Sequence, residues 1–575
     1  MLRKVLVANR GEIALRVMRA CREERIATVA VYAPGEEDAR HVRYADEAVE
    51  LAVPSGLPYI NIDAVIGAAI DTGADGIHPG YGFLAESPEF ARACRASGLI
   101  FVGPPAEAIE AMGDKVRARQ TAERAGVPVV PGSREPVDVQ RAIEFGKEVG
   151  FPIALKAVAG GGGRGFKVAW ADDEVQDAWN QAAGEGERYF GNDAVYVEKY
   201  LEKPRHIEIQ IMADQHGNVV ALGERDCSIQ RRHQKLIEEA PSPALDDEIR
   251  ARMNETSERL AQAVGYVGAG TVEFLFSDGD FYFLEMNTRI QVEHPVTEEI
   301  TGIDLVREQL RVAAGQQLSF DRAEIRGHAI ECRINAEDPA RDFAPSPGKL
   351  VCFSPPSGFG VRVDTGFAAS DEIDPRFDNL IAKLIVRGRD RDEAISRLDR
   401  ALRDFEVGGV PTTIELFRRV LRRPDFRAGD YDTRYLERTA IAGSLAPFEA
   451  PAAADDESDA ITVEVNGRQY RVRLPESLAV GNGARANPAP ARARRDASSA
   501  VATGGSGELK SPIQGTVIRV AVSEGDQVEA GDLICVVEAM KMENEMLAPR
   551  AGTVTSLNVE AGQTVRTGAL LAVIE

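Results

Sequence analysis

The chain has 575 residues, and at roughly 150 residues per domain that suggests about four domains. Acidic residues outnumber basic ones by 91 − 68 = 23. Such a surface repels phosphate backbones and argues against general nucleic-acid binding, although the surplus equally suits a salt-adapted host. With 44% hydrophobic and 28% charged residues the composition is globular, not disordered.

The six cysteines lie far apart and no two form a C-x-x-C pair. Neither a zinc site nor a disulfide framework is expected; buried thiols in a reducing compartment are. The N-terminus MLRKVLVANRGE has no long apolar stretch, which argues against secretion. No apolar run approaches the length that spans a bilayer, so a cytoplasmic protein with no membrane partner is expected.

Along the chain, KVLVA reads as a buried strand, EIALRVMRACREE as an amphipathic helix and ATVAVY as the next strand. ADGIHPGYGFLAE and GLIFVG each place an apolar run beside glycine and proline. This βαβ pattern predicts an open parallel sheet with helices on both faces over residues 1–112. The first turn, NRGE, lacks the G-x-G-x-x-G fingerprint, so a nicotinamide cofactor is not expected. A second domain is expected over 113–315 and a third, α+β, over 326–440. The composition then turns to Ala, Pro, Gly and acid, so 441–507 reads as a flexible linker carrying a hairpin at 461–474 around Asn466-Gly467.

The last segment, 508–575, repeats itself. Gly515, Gly525, Val528, Gly531, Leu533, Val536 and Glu538 recur as Gly552, Gly562, Val565, Gly568, Leu570, Val573 and Glu575, each 37 residues on. Two such copies predict a small β-sandwich with a pseudo-twofold axis. EAMKMEN, between the copies, places Lys541 on an exposed turn, where an ordinary surface lysine and a modification site are both open.

Several stretches point to chemistry. KAVAGGGGRGF, from Lys156 to Phe166, lies between strand-like runs. Consecutive glycines let backbone N–H groups turn inward around phosphates; a floppy hairpin is the plain alternative. In FYFLEMNTRIQVEH, Glu285, Asn287, Arg289, Gln291 and Glu293 occupy alternate positions and would share one side of an extended chain. Glu273 in TVEFLF adds a carboxylate on a strand. Glu273, Glu285 and Asn287 are oxygen ligands suited to Mg²⁺ or Mn²⁺ beside nucleotide phosphates. ERDCSIQRRHQK, from Glu224 to Lys235, concentrates cations in an acidic protein and suggests an anion site, against a solvated basic loop. Glu198-Lys199-Tyr200-Leu201 reads, taken alone, as an edge strand.

ANRGEIA, HPGYGFLAE, KAVAGGGGRG, RDCSIQRRHQK, EMNTRIQVEHPVTE and ECRINAEDP together resemble the biotin carboxylases of the ATP-grasp superfamily, and EAMKMEN resembles a biotin carrier domain. The whole is similar to the biotin-containing alpha subunit of prokaryotic acyl-CoA carboxylases. The resemblance implies an α/β fold: an open parallel-sheet N-terminal domain, an ATP-grasp domain, an α+β C-terminal domain and, after a flexible linker, a β-sandwich biotinyl domain of the thumbless kind. It implies that Lys115, Lys156, Gly162, Gly163, Glu198, Lys199, Leu201, His206, Gln230 and His233 hold ATP, with Glu273 and Glu285. Glu273, Glu285 and Asn287 would hold Mg²⁺ or Mn²⁺. Lys235, Arg289, Gln291 and the backbone of Val292 would surround bicarbonate. Glu293 would be the general base, Arg333 would face biotin, and Lys541 would carry biotin through an amide bond. Lys235, Arg289, Glu293 and Arg333 would form the catalytic set.

The resemblance also implies partners. A carboxyltransferase beta subunit would complete a hetro-oligomeric acyl-CoA carboxylase acting on acetyl-CoA or propionyl-CoA, with methylcrotonyl-CoA as the alternative, and a biotin protein ligase would modify Lys541. Two rival readings are weaker. Another ATP-grasp ligase would not need the carrier, and a lipoyl-type carrier usually has Asp and Ala around its lysine where this chain has Met540 and Met542.

Overall fold

The computed structural model describes residues 2–53, 56–157, 166–190, 192–448, 460–465, 468–473, 507–511, 515–539, 542–566 and 568–575. The chain forms two compact units, Met1–Ile373 with Leu380–Pro447, and Asp374–Asn379 with Phe448–Glu575.

The first unit opens with a parallel sheet of five strands: β1 (Lys4–Val7), β2 (Ala27–Tyr32), β3 (Glu47–Glu50), β4 (Gly76–His78) and β5 (Ile100–Phe101), in the order β3-β2-β1-β4-β5. Helix α1 (Gly11–Glu23) follows β1, and its Ile13, Val17 and Met18 enter the same core as Val5 and Val7. The expected βαβ pattern is therefore present. Its turn NRGE is fastened by a side chain: Asn9 Nδ2 donates to the carbonyls of Pro79 and Tyr81, both at 2.8 Å.

A small three-stranded sheet follows, with β6 (Ile153–Ala157) between β7 (Phe166–Ala169) and β8 (Val195–Lys199). β6 and β7 are the arms of the expected glycine hairpin; its loop, with Gly162 and Gly163, lies outside the described residues. β8 is an edge strand, as its sequence suggests.

The centre of the unit is an eight-stranded sheet. It contains β9 (Arg205–Ala213), β10 (Val219–Arg231), β11 (Gln234–Ala240), β12 (Gly268–Ser277), β13 (Asp280–Asn287) and β14 (His328–Asn335), and beyond β14 the strands Leu380–Gly388 and Val361–Thr365. In β9, Ile207, Ile209 and Ile211 enter one hydrophobic core. The alternate His206, Glu208 and Gln210 share the opposite face, buried yet polar. Such a face needs internal partners, and the site below supplies them.

The second unit contains the hairpin Ala460–Val465 with Arg468–Arg473, paired antiparallel; Asn466 and Gly467 lie outside the described residues. The described residues of the segment 508–575 form two four-stranded sheets. Gly515–Val520, Gln527–Val528 and Leu533–Ala539 return 37 residues on as Gly552–Leu557, Thr564–Val565 and Leu570–Ile574. The copies exchange strands: Gln527–Val528 pairs with Gly552–Leu557, and Thr564–Val565 with Gly515–Val520. Neither half has a complete sheet alone. Leu533–Ala539 and Met542–Leu547 pair with Ala539 opposite Met542. Met540 and Lys541, between them, lie outside the described residues.

Five of the six cysteines are buried as expected, but Cys352 is exposed, because its short strand Cys352–Ser354 pairs at the surface with Glu406–Gly408. Among the described residues, no helix is long and apolar enough to cross a membrane.

Candidate active site

The site faces of β9, β10, β11, β12, β13 and β14, together with the small sheet, enclose a cleft of about 1170 Å³. Every candidate from the sequence that lies among the described residues lines it. Lys115, Lys156, Glu198, Lys199 and Leu201 come from the helix Lys115–Arg124 and the small sheet with its exit. His206, Gln230, His233 and Lys235 come from β9 and the β10–β11 turn. Glu273, Glu285 and Asn287 come from β12 and β13, Arg289, Gln291, Val292 and Glu293 from the connector after β13, and Arg333 from β14.

The connector corrects one expectation. Residues 285–293 do not run as one extended chain: β13 ends at Asn287, and a helix begins at His294 with Glu293 as its N-cap residue. The side chains converge for other reasons. Glu273 stands opposite Glu285, and the next pair is Phe274 with Phe283, so Leu284 is an unpaired bulge residue. Without the bulge, Glu285 would share the core face of Phe281 and Phe283. With it, the strand turns over and Glu285 and Asn287 reach the cleft. Arg289 is held back toward them, donating from Nη2 to Asn287 Oδ1 at 2.6 Å and from Nε to Glu86 Oε2 at 2.9 Å.

Lys235 is the hub. Its Nζ lies 2.5 Å from Glu208, 2.9 Å from Glu273 and 2.7 Å from Glu293. Burial alone would lower its pKa, but these three carboxylates hold it well above the ordinary lysine value. Glu293 places its second oxygen 2.9 Å from Arg333 Nη2. Burial would raise the Glu293 carboxyl, but Lys235, Arg333 and Arg225 hold it well below the usual carboxylate range. Arg333 also donates from Nε to Glu238 at 2.6 Å. Glu238 is pushed up to about 7, since burial outweighs the Arg333 charge.

Around the ATP candidates, Lys156 pairs with Glu198, which also accepts from Arg119 Nη1 at 2.9 Å. Lys199 turns its ammonium to the Gly150 carbonyl at 2.8 Å. Arg232 and His233 both have positive φ, and this tight turn brings Gln230 and Lys235 into the cleft together.

Sequence reasoning missed three groups. Glu208 alternates with His206 on β9, and that polar alternation within an isoleucine-rich strand was a readable signal. Arg225 is fully buried and donates to Glu208, Gln210, Thr297, Thr271 and Gln291 at 2.5–3.2 Å. It fixes Gln291 and Glu208 at once; it lies in the charged run ERDCSIQRRHQK, but nothing local distinguishes it there from the other cations. Glu86 closes the HPGYGFLAE motif and accepts from both Arg289 and the Thr288 backbone N–H.

Comparison with known proteins then gives the kinship. Family models match the biotin carboxylase N-terminal domain over residues 1–109, the carbamoyl-phosphate synthase L chain ATP binding domain over 114–320, the biotin carboxylase C-terminal domain over 331–438, and a biotin-requiring enzyme over 507–574. The chain is 48% identical over 559 residues to the biotin-dependent acyl-coenzyme A carboxylase alpha3 subunit of Mycobacterium leprae, covering 94% of this chain and 93% of that protein. It is 50% identical to biotin carboxylase 1 of Bacillus subtilis, covering 77% of this chain and all of that one. Among solved structures it is similar to the biotin carboxylase domain of Hydrogenobacter thermophilus 2-oxoglutarate carboxylase in complex with MgADP, ADP and bicarbonate. That likeness has a TM-score of 0.71 at 48% identity, over 78% of this chain and 99% of that one.

Proposed function

The chain belongs to the biotin carboxylases, and from that premise we propose that it carboxylates biotin on its own carrier domain for a separate subunit acting on a short acyl-CoA. It is an ATP-dependent biotin carboxylase joined to a biotin carrier domain, with ATP, Mg²⁺ and biotin as its cofactors. One observation carries the reading of the site: Glu293 is buried between Lys235 and Arg333 on the wall of a cleft large enough for a nucleotide.

Bicarbonate is a poor electrophile and needs activation. In the proposed reaction Arg289, Lys235, Gln291 and the Val292 backbone hold it, and Glu293 takes its proton. The freed oxygen attacks the γ-phosphorus of ATP, the bond to ADP breaks, and carboxyphosphate forms. Here positioning and charge do most of the catalysis. A carboxylate so well neutralised is a weak base, but an arriving anion competes for Lys235 and Arg333 and restores its basicity. Glu273, Glu285 and Asn287 offer only oxygen donors on one face and fit Mg²⁺ or Mn²⁺, which when bound offsets phosphate charge. In this proposal Lys115, Lys156, Glu198, Lys199, Leu201, His206, Gln230 and His233, with Gly162 and Gly163, would hold the nucleotide. Carboxyphosphate then breaks to CO₂ and phosphate. Biotin N1 gives its proton to the released phosphate and bonds to CO₂ while Arg333 balances the charge on the ureido oxygen.

The M. leprae relative supports the acyl-CoA acceptor because it matches both the carboxylase and the carrier ends of the chain. Acetyl-CoA or propionyl-CoA is the preferred substrate, with methylcrotonyl-CoA as the alternative. A carboxyltransferase beta subunit, a biotin protein ligase acting on Lys541, and a cytoplasmic location complete the proposal. The working domains are 1–112, 113–315, 326–440, a linker at 441–507, and 508–575. The test is copurification with the carboxyltransferase, followed by ATP-dependent fixation of ¹⁴C-bicarbonate onto each acyl-CoA. Lys541→Arg should abolish that fixation and streptavidin binding while free biotin is still carboxylated. Failure of the wild type to carboxylate any acyl-CoA would remove the substrate assignment.

A further inference from the structure

The connector Thr288–Glu293 carries much of the proposed bicarbonate site, yet it belongs to no strand or helix that would hold its backbone. Side chains hold it instead. The Thr288 N–H donates to Glu86 at 3.1 Å, His294 Nδ1 lies 2.7 Å from the Gln291 carbonyl, and Lys383 Nζ donates to the Val292 carbonyl at 3.0 Å. The last of these is the unusual one. Lys383 is fully buried on the strand Leu380–Gly388, across β14 from Lys235 on β11.

The carbonyl it holds belongs to the peptide joining Val292 to Glu293. Fixing that planar unit fixes the start of the Glu293 residue and the line of the Val292 backbone. The ammonium is itself held. Glu12 Oε1 lies 3.0 Å from Nζ and Asp364 Oδ2 lies 4.0 Å away. Glu12 also accepts from the Tyr81 hydroxyl. Glu12 comes from ANRGEIA, a motif with no task so far, and Tyr81 from HPGYGFLAE, whose Glu86 already braces Thr288 and Arg289. Burial would lower the Lys383 pKa, but Glu12, Glu331 and Asp364 keep it raised, so the group remains a charged donor.

We propose that Lys383, anchored by Glu12, is a positioning residue for bicarbonate activation: it sets the Val292–Glu293 peptide and through it the anion site and the base. This rests on the biotin carboxylase reading. It explains why the first helix is coupled to chemistry in the ATP-grasp sheet, and it gives the N-terminal motifs a role at bicarbonate that does not involve touching it.

The test uses the full chain with free biotin as acceptor. Lys383→Met keeps the length and apolar stem of the side chain and removes the charged donor. A hydrogen bond from a charged group is worth about a tenfold effect or more. The expected result is that KM for bicarbonate rises about tenfold while KM for ATP stays unchanged. A merely structural role would move both or neither, and either result in a folded variant overturns the proposal. Should Lys383→Met fail to fold, Glu12→Gln decides. It keeps an acceptor for Lys383 but weakens the anchor, so it should raise KM for bicarbonate selectively by a smaller factor. An unchanged bicarbonate KM in Glu12→Gln overturns the proposal. Absence of bicarbonate-dependent ATP cleavage in the wild type would instead remove the underlying reading.

Discussion

Glu273 and Glu285 stand directly opposite one another on adjacent antiparallel strands, and the bulge at Leu284 puts both on the cleft face. Like charges in that register repel. Glu273 has compensation, with Lys235 at 2.9 Å and His206 Nε2 at 2.8 Å, and its carboxyl is held well below the usual range although burial opposes this. Among the described residues, Glu285 has only the Asn287 amide, at 3.2 Å.

A divalent cation between them should therefore stabilise the folded chain. We expect Mg²⁺ to raise the unfolding temperature of the wild type progressively, with the logarithm of its concentration above Kd, as binding to the native state requires. Glu285→Gln should lose that response. Without metal it should be more stable than the wild type by about 0.5 kcal/mol, since a repulsion is relieved. An undiminished Mg²⁺ response in the variant would place the cation elsewhere.

Glu293→Gln should abolish bicarbonate-dependent ATP cleavage, by about 10²–10⁴-fold, while ATP binding persists. Its size is kept and its basicity lost. The amide can accept from only one of Lys235 and Arg333 through its oxygen, so some rearrangement of the pair is also expected. Steady-state ATP cleavage with and without bicarbonate measures the effect. Turnover at the wild-type level would end the general-base assignment.

These residues differ in how readable they were. The carrier's strands were the most legible, because a 37-residue period marks both copies with the same glycines and valines. Even so, the exchange of Gln527–Val528 and Thr564–Val565 between the sheets is a tertiary fact that periodicity does not carry. The polar run from Glu285 to Glu293 was noticed through alternation, yet alternation is not what assembles it. The bulge reverses the face, and beyond Asn287 the chain is a side-chain-braced connector. Lys383 was invisible, because it lies among apolar neighbours and its partners, Glu12 and Val292, come from distant segments; Arg225 lies in the charged run ERDCSIQRRHQK, but nothing local shows that Glu208 and Gln291 are its partners. A lone buried cation announces itself only when the sheet is assembled.

Glu239 gives a prediction about acid stability. It is fully buried, accepting from Arg391 Nε at 2.7 Å and Nη2 at 3.0 Å and from the Tyr431 hydroxyl, with His328 Nε2 at 2.7 Å. Burial would raise its pKa, but His328 and Arg391 bring it from 4.5 down to about 2. A depressed carboxyl stabilises the fold above its ordinary pKa and loses that contribution as pH falls through the folded value. The contribution is about 3 kcal/mol at neutral pH and should fade between pH 4.5 and about 2. Glu239→Gln should be less stable at pH 7 and should lose less stability than the wild type between pH 4.5 and 3. Urea unfolding at these pH values measures it, and parallel acid limbs for the two proteins would refute the assignment.

Arg333 separates the two halves of the reaction. In the proposed chemistry its charge is needed late, when the ureido oxygen of biotin becomes negative. Arg333→Ala should therefore lower biotin carboxylation by a larger factor than bicarbonate-dependent ATP cleavage. The structure adds two consequences. Glu238 is fully buried and is paired with Arg333, so the truncation leaves an uncompensated buried carboxyl and costs up to about 3–5 kcal/mol, less the share Glu238 avoids by taking up a proton. Glu293 also loses one of the two cations hydrogen-bonded to it, so its pKa must rise. The acid side of the pH profile for residual ATP cleavage should then move to higher pH in Arg333→Ala. Arg333→Lys should keep the charge, spare much of the stability, and leave that limb nearer the wild type. Measuring the two half-reactions side by side across pH decides the matter: an equal fall in both, with no shift of the acid limb, would make Arg333 a structural or bicarbonate residue and not the one that faces biotin.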